Sequence, residues 1–246
     1  MTATDFGQNS ISLKLLHAGD LGKRYGDEAA IAGVTFSVAA GEVLGIVGPN
    51  GSGKTTLLEL VAGLIAADSG NVLWRGENIE VSRRKAAMFY LPDGVRPYQD
   101  RLAIDVLSFF AGVYRRSEAD VTRTIAALEL APVLRKRVSG LSKGYNRRLI
   151  LAVGLLTPQP LLLMDEPFDG FDLRQTRNII DVVRNEAAKG RTFVLAIHQL
   201  ADAERVCDRF ILLAAGQARG IGTLDELRAQ TRMLGGSLEE IFLAFT

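Results

Sequence analysis

Gly48-Pro49-Asn50-Gly51-Ser52-Gly53-Lys54-Thr55-Thr56 lies between an apolar run, Val43-Leu44-Gly45-Ile46-Val47, and a helix-forming run from Thr55 to Ala62. The first run reads as a short buried strand and the second as a helix, so the intervening loop must turn sharply. Gly48, Gly51 and Gly53 permit positive φ and close backbone approach, which lets successive N–H groups point into the loop. The helix start adds its partial positive charge at the same place. Such a loop suits a nucleoside triphosphate. Lys54 would reach the β- and γ-phosphates, and the Thr55 hydroxyl would take one position on Mg2+.

Further along, Leu161-Leu162-Leu163-Met164-Asp165-Glu166-Pro167 delivers two carboxylates at the end of an apolar strand. Open α/β sheets bind their ligands at the carboxyl ends of strands. There Asp165 would hold Mg2+, directly or through water, and Glu166 would polarise an attacking water. A third stretch, Ser139-Gly140-Leu141-Ser142-Lys143-Gly144-Tyr145, precedes a helix with Leu149, Ile150, Val153, Leu155 and Leu156 on its apolar side. Ser142 or a neighbour could cap that helix.

The chain between these sites has an α/β rhythm. Ser12 to Leu16 and Val34 to Val38 read as early strands separated by a turn-rich segment, Gly19 to Asp27. Asp68-Ser69-Gly70 reads as a turn, Asn71 to Trp74 as a strand, and Arg75-Gly76-Glu77-Asn78 as a second turn. Met88 to Leu91 is a strand ended by Pro92-Asp93-Gly94. From about Val95 to Leu156 the periodicity is helical, an inserted helical segment. Strands return at Leu161 to Met164, Thr192 to Ile197 and Phe210 to Leu213, with a helix from about Arg174 to Lys189. This alternation predicts a largely parallel sheet with helices packed on it.

Composition agrees with one large α/β domain: 246 residues, 48% hydrophobic, with formal net charge +1. No global basic field favours nucleic acid. Arg83-Arg84-Lys85, Arg115-Arg116, Arg135-Lys136-Arg137 and Arg147-Arg148 read mostly as solvated surface. The single cysteine, Cys207, agrees with a reducing compartment and is expected to be a small buried residue at a helix-to-strand junction. The apolar runs fall well short of the ~20 residues that cross a bilayer. With no secretory pattern at the start, a cytoplasmic location is expected.

In this order, the motifs resemble those of the nucleotide-binding subunit of an ATP-binding cassette (ABC) transporter, from about Leu13 to the C-terminus. Tyr25 stands at the adenine-stacking position, Gly48 to Thr56 is the phosphate loop and Leu141 to Tyr145 the signature. Leu161 to Pro167 is the acidic strand end, Asp169-Gly170-Phe171-Asp172 resembles the D-loop with Asp172 as its aspartate, and His198 is in the switch position. The resemblance implies a P-loop NTPase core with an antiparallel β subdomain and an inserted α-helical subdomain. It implies ATP sandwiched in a head-to-tail dimer between the phosphate loop of one subunit and the signature of the other. Ser142, Lys143 and Gly144 would then meet the γ-phosphate across the interface, Glu166 and His198 would support hydrolysis, and a separate integral membrane permease would be driven.

Two departures narrow the resemblance. Lys143 and Tyr145 replace the common glycine and glutamine of the signature, and Asp93 replaces the glutamine usual after the Met88 to Leu91 strand. Both are similar to the exporter group called ABC-2 type, as is the closing segment Ser237 to Leu243. Asp93 can still offer an oxygen to Mg2+, although it is shorter and charged. The expected division is core and β subdomain at 11–92 and 157–226, helical subdomain at 93–156, and a helical tail at 227–246. A homodimer on the inner face of the cell membrane is the expected assembly. A soluble ABC ATPase of DNA repair or translation, a metabolic P-loop kinase and a binding-only regulatory cassette are the competing readings.

Overall fold

The computed structural model describes residues 14–233 and 235–245. Strand β1 (Lys14–Tyr25) and strand β2 (Glu28–Ala39) form a long antiparallel hairpin. After β3 (Val43–Val47) and α1 (Lys54–Ala62), β4 (Ser69–Trp74) returns to pair with β1, and β5 (Glu77–Asn78) pairs with β4. The turn-rich reading of Gly19 to Asp27 is corrected here. The strand runs on to Tyr25, and its register shifts absorb the glycines between Ala18 and Lys23 as bulges. Ser69 and Gly70 likewise belong to β4, not to a turn. Ser12 and Leu13, the start of the expected first strand, lie outside the described residues.

The chain then runs through α2 (Val81–Ala87), β6 (Met88–Leu91), α3 (Ala103–Val113), α4 (Glu118–Ala127) and α5 (Lys143–Leu156). Next come β7 (Leu161–Asp165), α6 (Leu173–Ala188), β8 (Thr192–Ile197), α7 (Leu200–Val206), β9 (Arg209–Ala214) and β10 (Gln217–Gly222). Two short helices, α8 (Leu224–Thr231) and α9 (Leu238–Phe245), follow. The second sheet has the order β10-β9-β3-β8-β7-β6, parallel except for β10.

The parallel strands are apolar on both faces because both faces are covered. Leu44, Ile46, Leu163, Val194, Ala196 and Ile211 face a core shared with α1 and the antiparallel sheet. Their chain neighbours Val43, Val47, Met164, Phe193, Leu195 and Phe210 face a second core shared with the helices of 103–156 and with α6, α7 and α9. The period-2 alternation therefore divides one sheet between two cores. Leu195 is fully buried, and its truncation to Ala would cost about 2–5 kcal/mol. The tail is docked, since Leu238 and Ile241 of α9 are also fully buried.

The reading of the basic clusters as solvated surface fails at four positions. Arg84 donates to the carbonyls of Leu60 and Val61 at the end of α1. Arg116 does the same at Leu156 and Thr157, closing the end of α5. Arg147 and Arg148 are buried, on a helix that has packing partners on nearly every side. Helix C-termini leave carbonyls without partners, and the Arg84 and Arg116 guanidinium groups fill that need. Cys207 follows α7 as expected and packs against the space above Gly45, and burial pushes its thiol up.

Candidate nucleotide site

Strands β3, β8, β7 and β6 are adjacent and parallel, so their carboxyl ends open on the same edge of the sheet. The loop after β3 carries Gly48 to Thr55, the end of β8 leads to His198, the end of β7 carries Asp165 and Glu166, and the loop after β6 carries Asp93. Four segments distant in sequence meet at one edge because of strand order alone.

Gly53 starts α1 at φ +103°, with no side chain capping the helix. By contrast Ser142 and Asp172 accept from the backbone N–H groups of Tyr145 and Gln175, capping α5 and α6. The start of α1 keeps its donors free for an anion. Gly48 is indispensable for another reason, because a Cβ there would lie 2.1 Å from the Leu213 carbonyl oxygen.

Lys54 is buried and donates to the carbonyls of Gly48 and Pro49 at 2.9 and 3.2 Å, with Glu166 Oε1 at 3.7 Å from its Nζ. Thr55 Oγ1 donates to Asp165 Oδ2 at 2.6 Å. The other Asp165 oxygen and the Ser52 hydroxyl are buried without a partner. Burial pushes the Asp165 carboxyl above its ordinary range, opposed by the Thr55 hydrogen bond and reinforced by the Glu166 and Asp93 carboxylates. Glu166 stands in the left-handed region at φ +47°. Its Oε2 lies 2.5 Å from His198 Nδ1 and also accepts from the His198 backbone N–H.

These groups border a cleft of about 510 Å3. Asn50, Gly51, Gly53, Lys54, Thr55 and Thr56 line one side, with Asp93, Asp165 and Glu166 opposite. Sequence reasoning missed its remaining walls, Glu28 to Ala30 at the β1–β2 turn and Ala215-Gly216 at the β9–β10 turn. Their only signals were the glycines of the two turns, Gly26 and Gly216. Gly216 donates its N–H to the Ser52 carbonyl and accepts from Ala32, tying the phosphate loop to β2. Tyr25 ends β1 opposite Glu28, half exposed, with Lys23 Nζ 5.6 Å from its ring centroid. It flanks the cleft and does not line it. Arg147 was also missed. Its Nη1 meets Asp93 at 3.1 Å, and its Nη2 donates to the carbonyls of Asp165 and Glu166.

An acceptor set of a carboxylate, a hydroxyl and an unpartnered carboxylate oxygen beside a phosphate-type loop fits a hard divalent cation such as Mg2+. Ser142, Gly144 and Asp172 line a different pocket, on another part of the surface, with Tyr145, Arg148 and Gln175. Lys143 pairs with Asp169 at 2.8 Å, its stem crossing Gly170. No described hydrogen bond joins the signature residues to the phosphate loop.

The ABC transporter family profile matches residues 31–169. The Nod factor export ATP-binding protein I of Rhizobium etli is 32% identical, spanning 98% of this chain and 74% of that protein. The daunorubicin resistance ATP-binding protein of Streptomyces coeruleorubidus is 34% identical over 90% of this chain and 71% of its own length. A solved structure described as the ATP binding subunit of an ABC transporter superposes with TM-score 0.84 at 30% identity, covering 94% of this chain and 99% of the other. With the glycine-rich loop, the acidic strand end and His198 assembled on one edge of a cassette fold, the chain belongs to the ABC transporter family and is an ATP-hydrolysing subunit that powers transport.

Proposed function

We propose that this subunit binds MgATP in the cleft at the carboxyl edge of the parallel sheet and dimerises head to tail around it. In this reading Gly48 to Thr56 hold the phosphates and Tyr25 stacks on the adenine. Thr55, Asp165 and Asp93 face Mg2+, which neutralises phosphate charge when bound. Glu166 takes the proton of the attacking water, and His198 fixes the Glu166 carboxylate and senses the γ-phosphate. Ser142, Lys143 and Gly144, with Asp172, complete the site of a second copy. The chain divides into a core with β subdomain (11–92, 157–226), a helical lobe (93–156) and a tail (227–246). The lobe passes closure to an integral membrane permease, and the subunit is held at the inner face of the cell membrane through that partner. The relatives named for Nod factor export and daunorubicin resistance favour export. Among the described residues no helix is long and apolar enough to cross a membrane, which favours a separate permease.

The observation that carries this reading is the separation of the phosphate cleft from the signature pocket within one chain. Each half-site needs a complement, and a second copy supplies both. The test uses the Glu166→Gln variant, in which binding is retained and turnover blocked. With MgATP it is expected to sediment as a dimer, and without nucleotide as a monomer. The tagged protein from detergent-solubilised membranes is expected to bring a polytopic membrane protein in equal amount. Recovery with ribosomal or DNA-repair proteins instead would replace this reading with a soluble ATPase.

A further inference from the structure

We infer that Arg147 is a positioning residue for hydrolysis and that Asp93 acts through it, as its counter-charge. Arg147 sits in the second turn of α5 with 9% of its surface exposed. One guanidinium touches three residues on two segments. Nη1 meets Asp93 on the loop after β6, and Nη2 holds the Asp165 and Glu166 carbonyls at the end of β7.

Glu166 needs that hold. A non-glycine residue at φ +47° is strained and persists only when its surroundings over-determine it. Its N–H is fixed by the Ala196 carbonyl at 2.9 Å. Its carbonyl is fixed by Arg147 and by the Asp169 N–H. Without Arg147 the carbonyl keeps only the Asp169 contact, at 3.2 Å, and the carboxylate it carries loses its aim at His198.

Arg147 in turn needs Asp93. A buried guanidinium is tolerated when paired, and its Nε here already lacks a partner. Asp93 is the one carboxylate that the described ion pairs assign to it, and Asp93 is 53% exposed, on the loop that leads from β6 to α3. Displacement of that loop leaves the charge beside Glu166 without its direct ion-pair partner, only the more distant Asp169 carboxylate remaining, and loosens the strand end. The aspartate at this position therefore reports loop position to Glu166 through Arg147, a task an uncharged side chain could not do in the same way.

This inference rests on Glu166 as the hydrolytic base. Its test is a double-mutant cycle on the full chain, with Asp93→Asn, Arg147→Met and the double variant. Turnover is read by phosphate release, affinity by a fluorescent ATP analogue with Mg2+, and metal dependence by Mg2+ titration. Arg147→Met is expected to lower kcat at least tenfold and to leave the analogue's Kd within twofold. Asp93→Asn is expected to lower kcat in the wild type and to add nothing in the Arg147→Met background. Arg147→Lys keeps the charge but cannot span three acceptors, so it should recover kcat only in part, and it replaces the Met variant in the cycle should that variant melt. Multiplicative losses of kcat at saturating Mg2+ would overturn the inference. The Glu166 assignment fails separately, if Glu166→Gln hydrolyses ATP at the wild-type rate.

Discussion

The Thr55 hydroxyl donates to the Asp165 carboxylate across 2.6 Å, linking the first turn of α1 to the end of β7. The contact holds together the two halves of the candidate metal site, yet it leaves a carboxylate almost fully buried with one oxygen unpartnered. Function and stability pull in opposite directions here.

Asp165→Asn keeps an acceptor for Thr55 and removes the buried charge. The nucleotide-free variant is expected to be more stable than wild type by about 1 kcal/mol near neutral pH. The sign of the pH dependence follows from the raised carboxyl. The folded chain holds this proton more tightly than the unfolded chain, so stability falls as pH rises from 3.8 through the raised value. The Asn variant should lack that part of the slope and should lose Mg2+-dependent nucleotide binding. Thermal melts in chelator across pH 3.5 to 7, roughly the range of carboxylate titration, check both points. A variant that melts below wild type throughout would show that the charge is well accommodated.

Glu166→Gln is expected to lower kcat by about 10²–10⁴ while ATP still binds, the range for loss of a general base. His198→Ala should cost less, because Lys54 remains 3.7 Å from the same carboxylate and the backbone still fixes Glu166. Phosphate release and equilibrium binding on the same samples separate the two. Equal losses would mean that His198 does more than orient its neighbour.

The phosphate loop, the acidic strand end and most parallel strands were legible because each is local: a glycine spacing, an apolar run, a turn. Val43 to Val47 and Thr192 to Ile197 are strands with the bounds expected. Arg147 was not legible, because its meaning depends on Asp93 and Glu166, distant in sequence and brought near by strand order. Nor were β10 and its turn, whose Gly220 and Gly222 look like breakers until α8 and α9 pack against them. The long β1 was hidden by glycines that bulges absorb.

Gly48→Ala places its Cβ 2.1 Å from a strand carbonyl, which cannot move without breaking the β9 edge of the site. It is expected to destabilise by about 2–4 kcal/mol. Gly51→Ala meets open space and suffers only from its φ of +79°, so about 1 kcal/mol is expected. Denaturant melts of the two variants give the comparison. The reverse order would mean that the loop is not packed against Leu213 in solution.

Arg191 stands on the turn before β8, and its guanidinium donates to the carbonyls of Gly154, Leu155 and Thr157, with the Thr157 hydroxyl also in reach. Burial lowers its pKa to about 10, opposed by Glu186 and aided by Arg116. Both arginines thus serve one purpose, to close the C-terminus of the helix whose N-terminus carries the signature. Arg191→Met strands several buried carbonyls at once and is expected to cost about 3 kcal/mol. Arg191→Lys should recover less than half of that, since an ammonium cannot span the fork. Arg123 offers the contrast, an exposed charge paired with Asp120 on the same helix, and its Met variant should change stability by only about 0–1 kcal/mol. Urea denaturation of the three variants checks the ranking. A cost for Arg191→Met no larger than for Arg123→Met would show that water replaces the guanidinium, and the end of α5 would then be open to solvent.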